Sequence, residues 1–248
     1  MRFLCLHGRA TSAQQGTKIF ELQTARIRQE FIEHEFVFLN GGIVLQSCDG
    51  SATVGSTDMG DGQCGFLGEL TDVGQYQDLL HDLVEAVQTQ GPFDGVMGFS
   101  EGGIVAATLL LEDVRRPFAN FKCGILFSAA PPLDTDSLRA GIIRCLDPDK
   151  DKVSVFIPTA HIYSPREDDT SPTSTGAAAR VCTSPLDKLW SDAGWTTPEQ
   201  VHNSLVRLCA NAEVFLHDEG HCVPGSRHHD ALRGALRAIN RTVESASG

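Results

Sequence analysis

Residues 96 to 103, VMGFSEGG, set one serine between glycines, directly after an apolar run and directly before a helical pattern. Glycine loses more backbone freedom on ordering than any other residue, so a cluster of glycines marks a sharp bend or a close backbone approach. The pentapeptide GFSEG fits G-x-S-x-G, a pattern that needs a strand before it and a helix after it. VMGF supplies the strand and GGIVAATLLL the helix. A serine held on such a corner presents its hydroxyl outward, with Gly98 and Gly102 letting neighbouring segments pack against the turn. The chemistry this suits is nucleophilic attack by Ser100. The plainer reading is a glycine-rich turn into a helix.

A serine nucleophile needs a base, and the base needs an orienting carboxylate, in chain order Ser, acid, His for a strand–Ser–helix corner. Nine histidines are present. His7 precedes the serine, His161 lies inside the strand run VFIPTAHIYS, His34, His81 and His202 sit in helical patterns as partly exposed residues, and His228 and His229 lie in the last helix. His217 and His221 remain, in VFLHDEGHCVPG. His221 follows Gly220 in a loop after the final strand, where it can reach the carboxyl edge of a sheet, and it is the candidate base. The acid should follow the strand HIYS. Asp168 in SPREDD has the usual short offset from a strand end, with Glu167 and Asp169 beside it. Asp187 is its main rival, followed by Asp192. An acyl-transfer site also needs two backbone donors for an oxyanion. The N–H of Glu101 and that of Arg9, in the turn HGRA after the first strand, are the candidates.

The elements that must position these groups alternate. Apolar runs at 2–6, 35–40, 93–99, 123–132, 155–164 and 212–219 read as strands. Periodic stretches at 17–34, 72–89, 101–114, 199–210 and 227–243 read as helices. The first carries Ile19, Leu22, Ile27 and Phe31 near helical spacing; the second turns Tyr76, Leu79, Leu80, Leu83, Val84 and Val87 inward. Alternation of this kind implies an α/β fold with a mostly parallel central sheet and helices on both faces. The 248 residues read as a single domain, with 41–70 a long loop and 165–197 a loop insertion rich in Ser, Thr, Pro and Asp.

Composition narrows the partners. A net charge of −12 argues against nucleic acid and anionic membranes. No apolar run approaches the roughly 20 residues of a membrane helix, and MRFLCLHG turns polar too soon for a signal peptide. Eight cysteines show no CxxC pair and no metal-ligand spacing, so a reduced, cytoplasmic protein with no cofactor and no metal is expected. A dinucleotide fingerprint is rejected, because GFSEGG has Ser100 where the second glycine should stand. The oligomeric state is not legible.

FLCLHG, EFVFLN, GFSEGG, IPTAHIYS and HDEGHCVPG, in that order along nearly the whole chain, resemble the fungal FSH-type serine hydrolases of the α/β-hydrolase superfamily. That family includes the thioesterase that releases the polyketide in lovastatin biosynthesis. The resemblance implies an α/β-hydrolase fold and a serine–histidine–aspartate triad, with the nucleophile on Ser100, the base on His221 and the acid favouring Asp168. It implies a small-molecule ester or thioester substrate, with a carrier-protein-bound polyketide acyl chain as one form. Docking an acidic carrier would need a basic patch, for which Arg139 and Arg144 are candidates. In the same frame, segments 41–70, 131–150 and 165–197 would shape an apolar acyl pocket. Acyl transfer or cyclisation by the same serine, and a non-catalytic small-molecule binding protein on the same fold, are the alternatives.

Overall fold

A strand covered on both faces must be apolar on both, because neither row of side chains meets water. RFLCL meets this condition: Phe3 and Cys5 enter one core layer, Leu4 and Leu6 the other, and all four are buried. The computed structural model describes residues 1–10, 15–45, 63–152, 154–166 and 185–248. Its strands are β1 (Arg2–Leu6), β2 (Glu35–Leu39), β3 (Ile43–Leu45), β4 (Gln63–Gly65), β5 (Gly95–Phe99), β6 (Cys123–Phe127), β7 (Val155–Tyr163) and β8 (Cys209–Leu216). Its helices are α1 (Gly16–Gln23), α2 (Ala25–Glu30), α3 (Val73–Gln90), α4 (Glu101–Arg115), α5 (Thr135–Arg139), α6 (Pro185–Asp192), α7 (Pro198–Arg207) and α8 (His229–Ser247).

Six strands form one sheet in the order β2–β1–β5–β6–β7–β8, and every pairing in it is parallel. Helices cover both faces. Phe20 of α1, Ile27 of α2 and Leu232, Ala235 and Ile239 of α8 pack on Phe3, Cys5, Met97 and Phe127. Leu80 of α3, Ile104 and Leu109 of α4, Leu138 of α5 and Leu205 of α7 pack with Leu4, Leu6, Val96 and Leu126. This is the expected α/β-hydrolase architecture. The chain runs outward from β1 to β2, then crosses back to add β5 on the other side of β1. Strand order reverses there, and ligands of open α/β sheets bind at the carboxyl ends of strands at such a switch point. His7-Gly8-Arg9 leave β1 at that place and Ser100 leaves β5.

Several elements depart from the sequence reading. The helix expected over 17–34 is two, broken at Thr24, whose N–H and Oγ1 both bond to the Phe20 carbonyl at 2.9 and 2.7 Å. A side chain competing for a helix carbonyl bends or ends the helix. The break turns Phe20 and Ile27 into the core, while Leu22 is left 77% exposed. The 41–70 segment is not all loop: β3 and β4 pair antiparallel, with Ile43 opposite Gly65. Residues 185–192 of the expected loop insertion form α6. α5 has no counterpart in the sequence reading; it is a short helix capped by Asp134, which accepts the Asp136 N–H. β8 starts at Cys209, where α7 has already closed on a Leu208 N–H bond to Leu205. Among the described residues, no helix is long and apolar enough to cross a membrane.

Candidate active site

The corner after β5 is strained and tightly held. Ser100 has φ 54° and ψ −120°, a left-handed backbone that non-glycine residues seldom adopt. Its N–H donates to the Phe127 carbonyl of β6 at 2.9 Å. Its own carbonyl accepts from Gly103 and Ile104 at 2.9 and 3.1 Å, so the serine starts α4 while still tied to the sheet. The flanking glycines are required by contact. A Cβ on Gly98 would lie 2.3 Å from the Gly102 carbonyl oxygen, and one on Gly102 would lie 2.2 Å from that of Leu6 and 2.3 Å from that of His7. The elbow therefore sits directly on the turn that leaves β1.

The loop after β8 supplies the imidazole. The His217 N–H extends the ladder by bonding to the Tyr163 carbonyl at 3.1 Å, and the chain then turns at Gly220, whose φ is 69°. His221 comes over the elbow with Nε2 2.9 Å from Ser100 Oγ and its ring 5.2 Å from that of Phe99. A hydroxyl donating to Nε2 is the geometry from which a general base takes the serine proton. The imidazole stands exposed, open to water from outside.

Four other histidines are buried away from the serine. His7 is buried; Nε2 accepts the Gly41 N–H at 2.9 Å, which assigns the proton to Nδ1 and its 2.6 Å bond to the Gly8 carbonyl. It fixes the β1 turn. His202 is not the partly exposed helix residue that its periodicity suggests. It is buried, donates from Nδ1 to the Ala129 carbonyl at 2.8 Å and lies 4.7 Å ring to ring from Tyr163. Burial holds its pKa down to about 4, with the charges of His221 and His217 adding to the effect. Helical periodicity alone could not reveal this, because α7 packs its histidine face onto the end of β6. His161 is also buried, and burial lowers its pKa to about 3. Burial likewise lowers that of His217, whose Nδ1 accepts the Glu219 N–H at 3.2 Å.

Of the acid candidates, Glu167, Asp168 and Asp169 lie outside the described residues, as does the side chain of Asp187 in α6. Asp192 is exposed at the end of α6, and no hydrogen bond joins it to His221. Arg9 and Glu101 flank the serine from two sides, and their side chains meet: Arg9 Nε donates to Glu101 Oε2 at 2.8 Å. Sequence reasoning weighs only their backbone N–H groups. The opposite charges directly after the two turns are the signal for the rest.

Arg139 and Arg144 do not form a free basic patch. Arg139 is paired with Glu112, and Arg144 with Asp134 and Asp151. Neighbouring carboxylates have already taken both guanidiniums.

Comparison with known proteins gives the family. The sequence profile described as Serine hydrolase (FSH1) matches residues 1–231. Esterase FPY3 of Fusarium mangiferae is 29% identical over 183 residues, covering 69% of this chain and 77% of that protein. Esterase alnB of Emericella nidulans is 36% identical over 141 residues, covering 54% of this chain and 46% of that protein. Among solved structures, Mycobacterium tuberculosis BpoC aligns over 99% of this chain and 92% of its own, with a TM-score of 0.51 at 12% identity, a likeness of fold. The chain belongs to the FSH1 serine hydrolase family and is an esterase-type hydrolase built on the α/β-hydrolase fold.

Proposed function

We propose that the chain cleaves an ester or thioester through an acyl-serine, with Ser100 as nucleophile, His221 as general base and Asp168 as the orienting acid. Asp187 is the rival for that last role. The observation that carries this reading is the 2.9 Å separation of His221 Nε2 from a Ser100 hydroxyl held at positive φ. Ser100 Oγ bonds to the acyl carbon as its proton passes to Nε2. The carbonyl oxygen becomes an oxyanion beside the N–H groups of Glu101 and Arg9, at the positive end of α4. Collapse breaks the bond to the alkoxide or thiolate, which takes the proton from Nε2. Water then repeats the sequence on the acyl-serine and releases the acid. The exposed His221 leaves water free to reach the acyl-serine, as hydrolysis requires; acyl transfer by the same serine is the alternative.

An apolar acyl group is the substrate this reading favours. The hollow between α3, α4 and α5, lined by Leu67, Leu80, Val105, Leu109, Leu133 and Leu138, measures only about 10 Å³, room for about one water, so an acyl chain would lie outside it. A polyketide chain is one such acyl group, and the acyl carrier remains part of the proposal only as a leaving group.

Replacing Ser100 with Ala should abolish turnover of short p-nitrophenyl esters and labelling by a fluorophosphonate, with an unchanged circular dichroism spectrum. Activity retained in that variant would remove the reading. Asp168→Asn and Asp187→Asn, compared in the same assay, identify the acid as the one whose loss lowers kcat by orders of magnitude.

A further inference from the structure

The two residues whose main chains flank Ser100 are joined through their side chains. Arg9 follows the His7-Gly8 turn, and Glu101 opens α4 directly after the serine. Arg9 Nε donates to Glu101 Oε2 at 2.8 Å, and Arg9 Nη2 to the Leu67 carbonyl at 3.2 Å. Glu101 Oε1 accepts the N–H of Leu67 at 2.6 Å and that of Phe66. These bonds close a ring of three segments that are distant in sequence: the turn after β1, the start of α4 and the run leaving β4. The Glu101 side chain is only 5% exposed. Gly65 makes room for it, since a Cβ there would lie 2.3 Å from Glu101 Oε1.

A buried carboxylate beside a nucleophile is a hindrance to oxyanion chemistry. Negative charge developing on the acyl oxygen is repelled by a neighbouring anion, more strongly where that anion is buried than in bulk solvent. An oxyanion hole works because its donors are fixed before reaction, and here the donors ride on separate segments. One ion pair meets both demands. The guanidinium offsets the Glu101 charge, and the same contact ties the Arg9 turn to the first residue of α4.

We propose that Arg9 and Glu101 are positioning residues, whose ion pair sets the spacing of the two oxyanion donors and cancels the carboxylate beside them. The inference rests on the reading of Ser100 as nucleophile. It makes the two partners unequal. Without Arg9, the donors lose their tie and a buried anion is left uncompensated. Without both charges, only the tie is lost.

The experiment measures kcat and KM for p-nitrophenyl acetate in wild type, R9M, R9K and R9M/E101Q, each normalised to the fraction of serine labelled by a fluorophosphonate. R9M should lower kcat per labelled serine about a hundredfold with KM little changed, the scale of losing an oxyanion donor. R9M/E101Q should regain about tenfold over R9M, because the side-chain amide put in place of the carboxylate still accepts from residues 66 and 67 but carries no charge. R9K, which keeps the charge but not the fork, should fall about tenfold below wild type. A merely structural pair would lower the melting temperature and the labelled fraction but leave kcat per labelled serine unchanged, and that result overturns the proposal. So does a double variant slower than R9M. Should R9M fail to fold, an undiminished kcat in folded R9K decides against it. A wild-type serine that takes no label instead refutes the nucleophile assignment itself, before any variant is compared.

Discussion

His221 Nε2 lies 2.9 Å from Ser100 Oγ, although 121 residues separate the two along the chain. Neither group alone is a catalyst: an isolated serine hydroxyl is a weak nucleophile, and an imidazole without a proton to take does nothing for acyl transfer. Residues that act as one unit lose their effect together, so their removal is not additive. His221→Gln should lower kcat/KM by about 10⁴-fold, and Ser100→Ala/His221→Gln should be no slower than Ser100→Ala alone. Steady-state kinetics on a p-nitrophenyl ester checks both. A double variant with multiplied losses would mean that the two side chains act separately.

Gly102 touches main chain rather than side chain, and that decides what a methyl group would do there. A Cβ built on Gly102 would lie 2.2 Å from the Leu6 carbonyl oxygen, on a buried strand whose pairing with β2 and β5 cannot give way. Gly102→Ala should destabilise the protein by about 3 kcal/mol or more, at or beyond the upper end of ordinary overpacking. Gly42→Ala is the control, because a Cβ at Gly42 meets nothing within 4 Å among the described residues. Urea unfolding midpoints compare the two. Equal and small effects would show that the elbow can relax away from β1.

Much of this arrangement is legible in the residues. The inner strands β1, β5 and β6 are apolar on both faces, and the alternation of strands with helices points to a parallel α/β fold before any contact is known. Ser100 and His221 are legible because glycines force the corners that carry them. The rest depends on which distant segments meet. Nothing in the periodicity of α7 says that His202 faces the end of β6 instead of water. The apolar spacing of Ile19 and Leu22 points to the core, yet the helix breaks at Thr24 and Phe20 is buried in their place. The ring joining Arg9, Glu101 and residues 66–67 has three members from three parts of the chain, so no local pattern contains it.

Two buried imidazoles give the fold an acid limit. Burial lowers the pKa of His202 to about 4 and that of His161 to about 3, against 6.5 for each free side chain. Above about pH 6.5 both are neutral in the folded and the unfolded chain, and their contribution is complete. As pH falls below that value the unfolded chain takes up protons that the folded chain refuses. Stability then drops by about 1.4 kcal/mol per pH unit for each group, until the folded pKa is reached. Urea midpoints should therefore be level from pH 8 to 7 and fall steadily from pH 6 towards 4. His202→Gln should flatten the upper part of that fall. A slope unchanged in that variant would place the protons elsewhere.

Ser128 is the second serine with a left-handed backbone at this end of the sheet, with φ 43°, but it carries none of the reasons that hold Ser100 there. Its hydroxyl is buried and has no partner among the described residues. Its N–H donates to the Ile162 carbonyl at 2.9 Å, a bond that any residue with an N–H can make. Positive φ costs a non-glycine residue about 1–2 kcal/mol, and a buried hydroxyl without a partner adds to that. Glycine removes both penalties and loses about 0.5–1 kcal/mol to the greater freedom of its unfolded chain. Ser128→Gly should therefore be more stable than wild type by about 1 kcal/mol, which for a chain of this size raises Tm by about 2–4 °C. Ser128→Ala keeps the strained backbone and loses only the stranded hydroxyl, so it should fall between the two. Ser128→Thr adds branching at the strained position and should be the least stable of the four. Thermal unfolding ranks them. A glycine variant melting below wild type would mean that the Ser128 hydroxyl is engaged after all, and that the strain at the end of β6 is compensated.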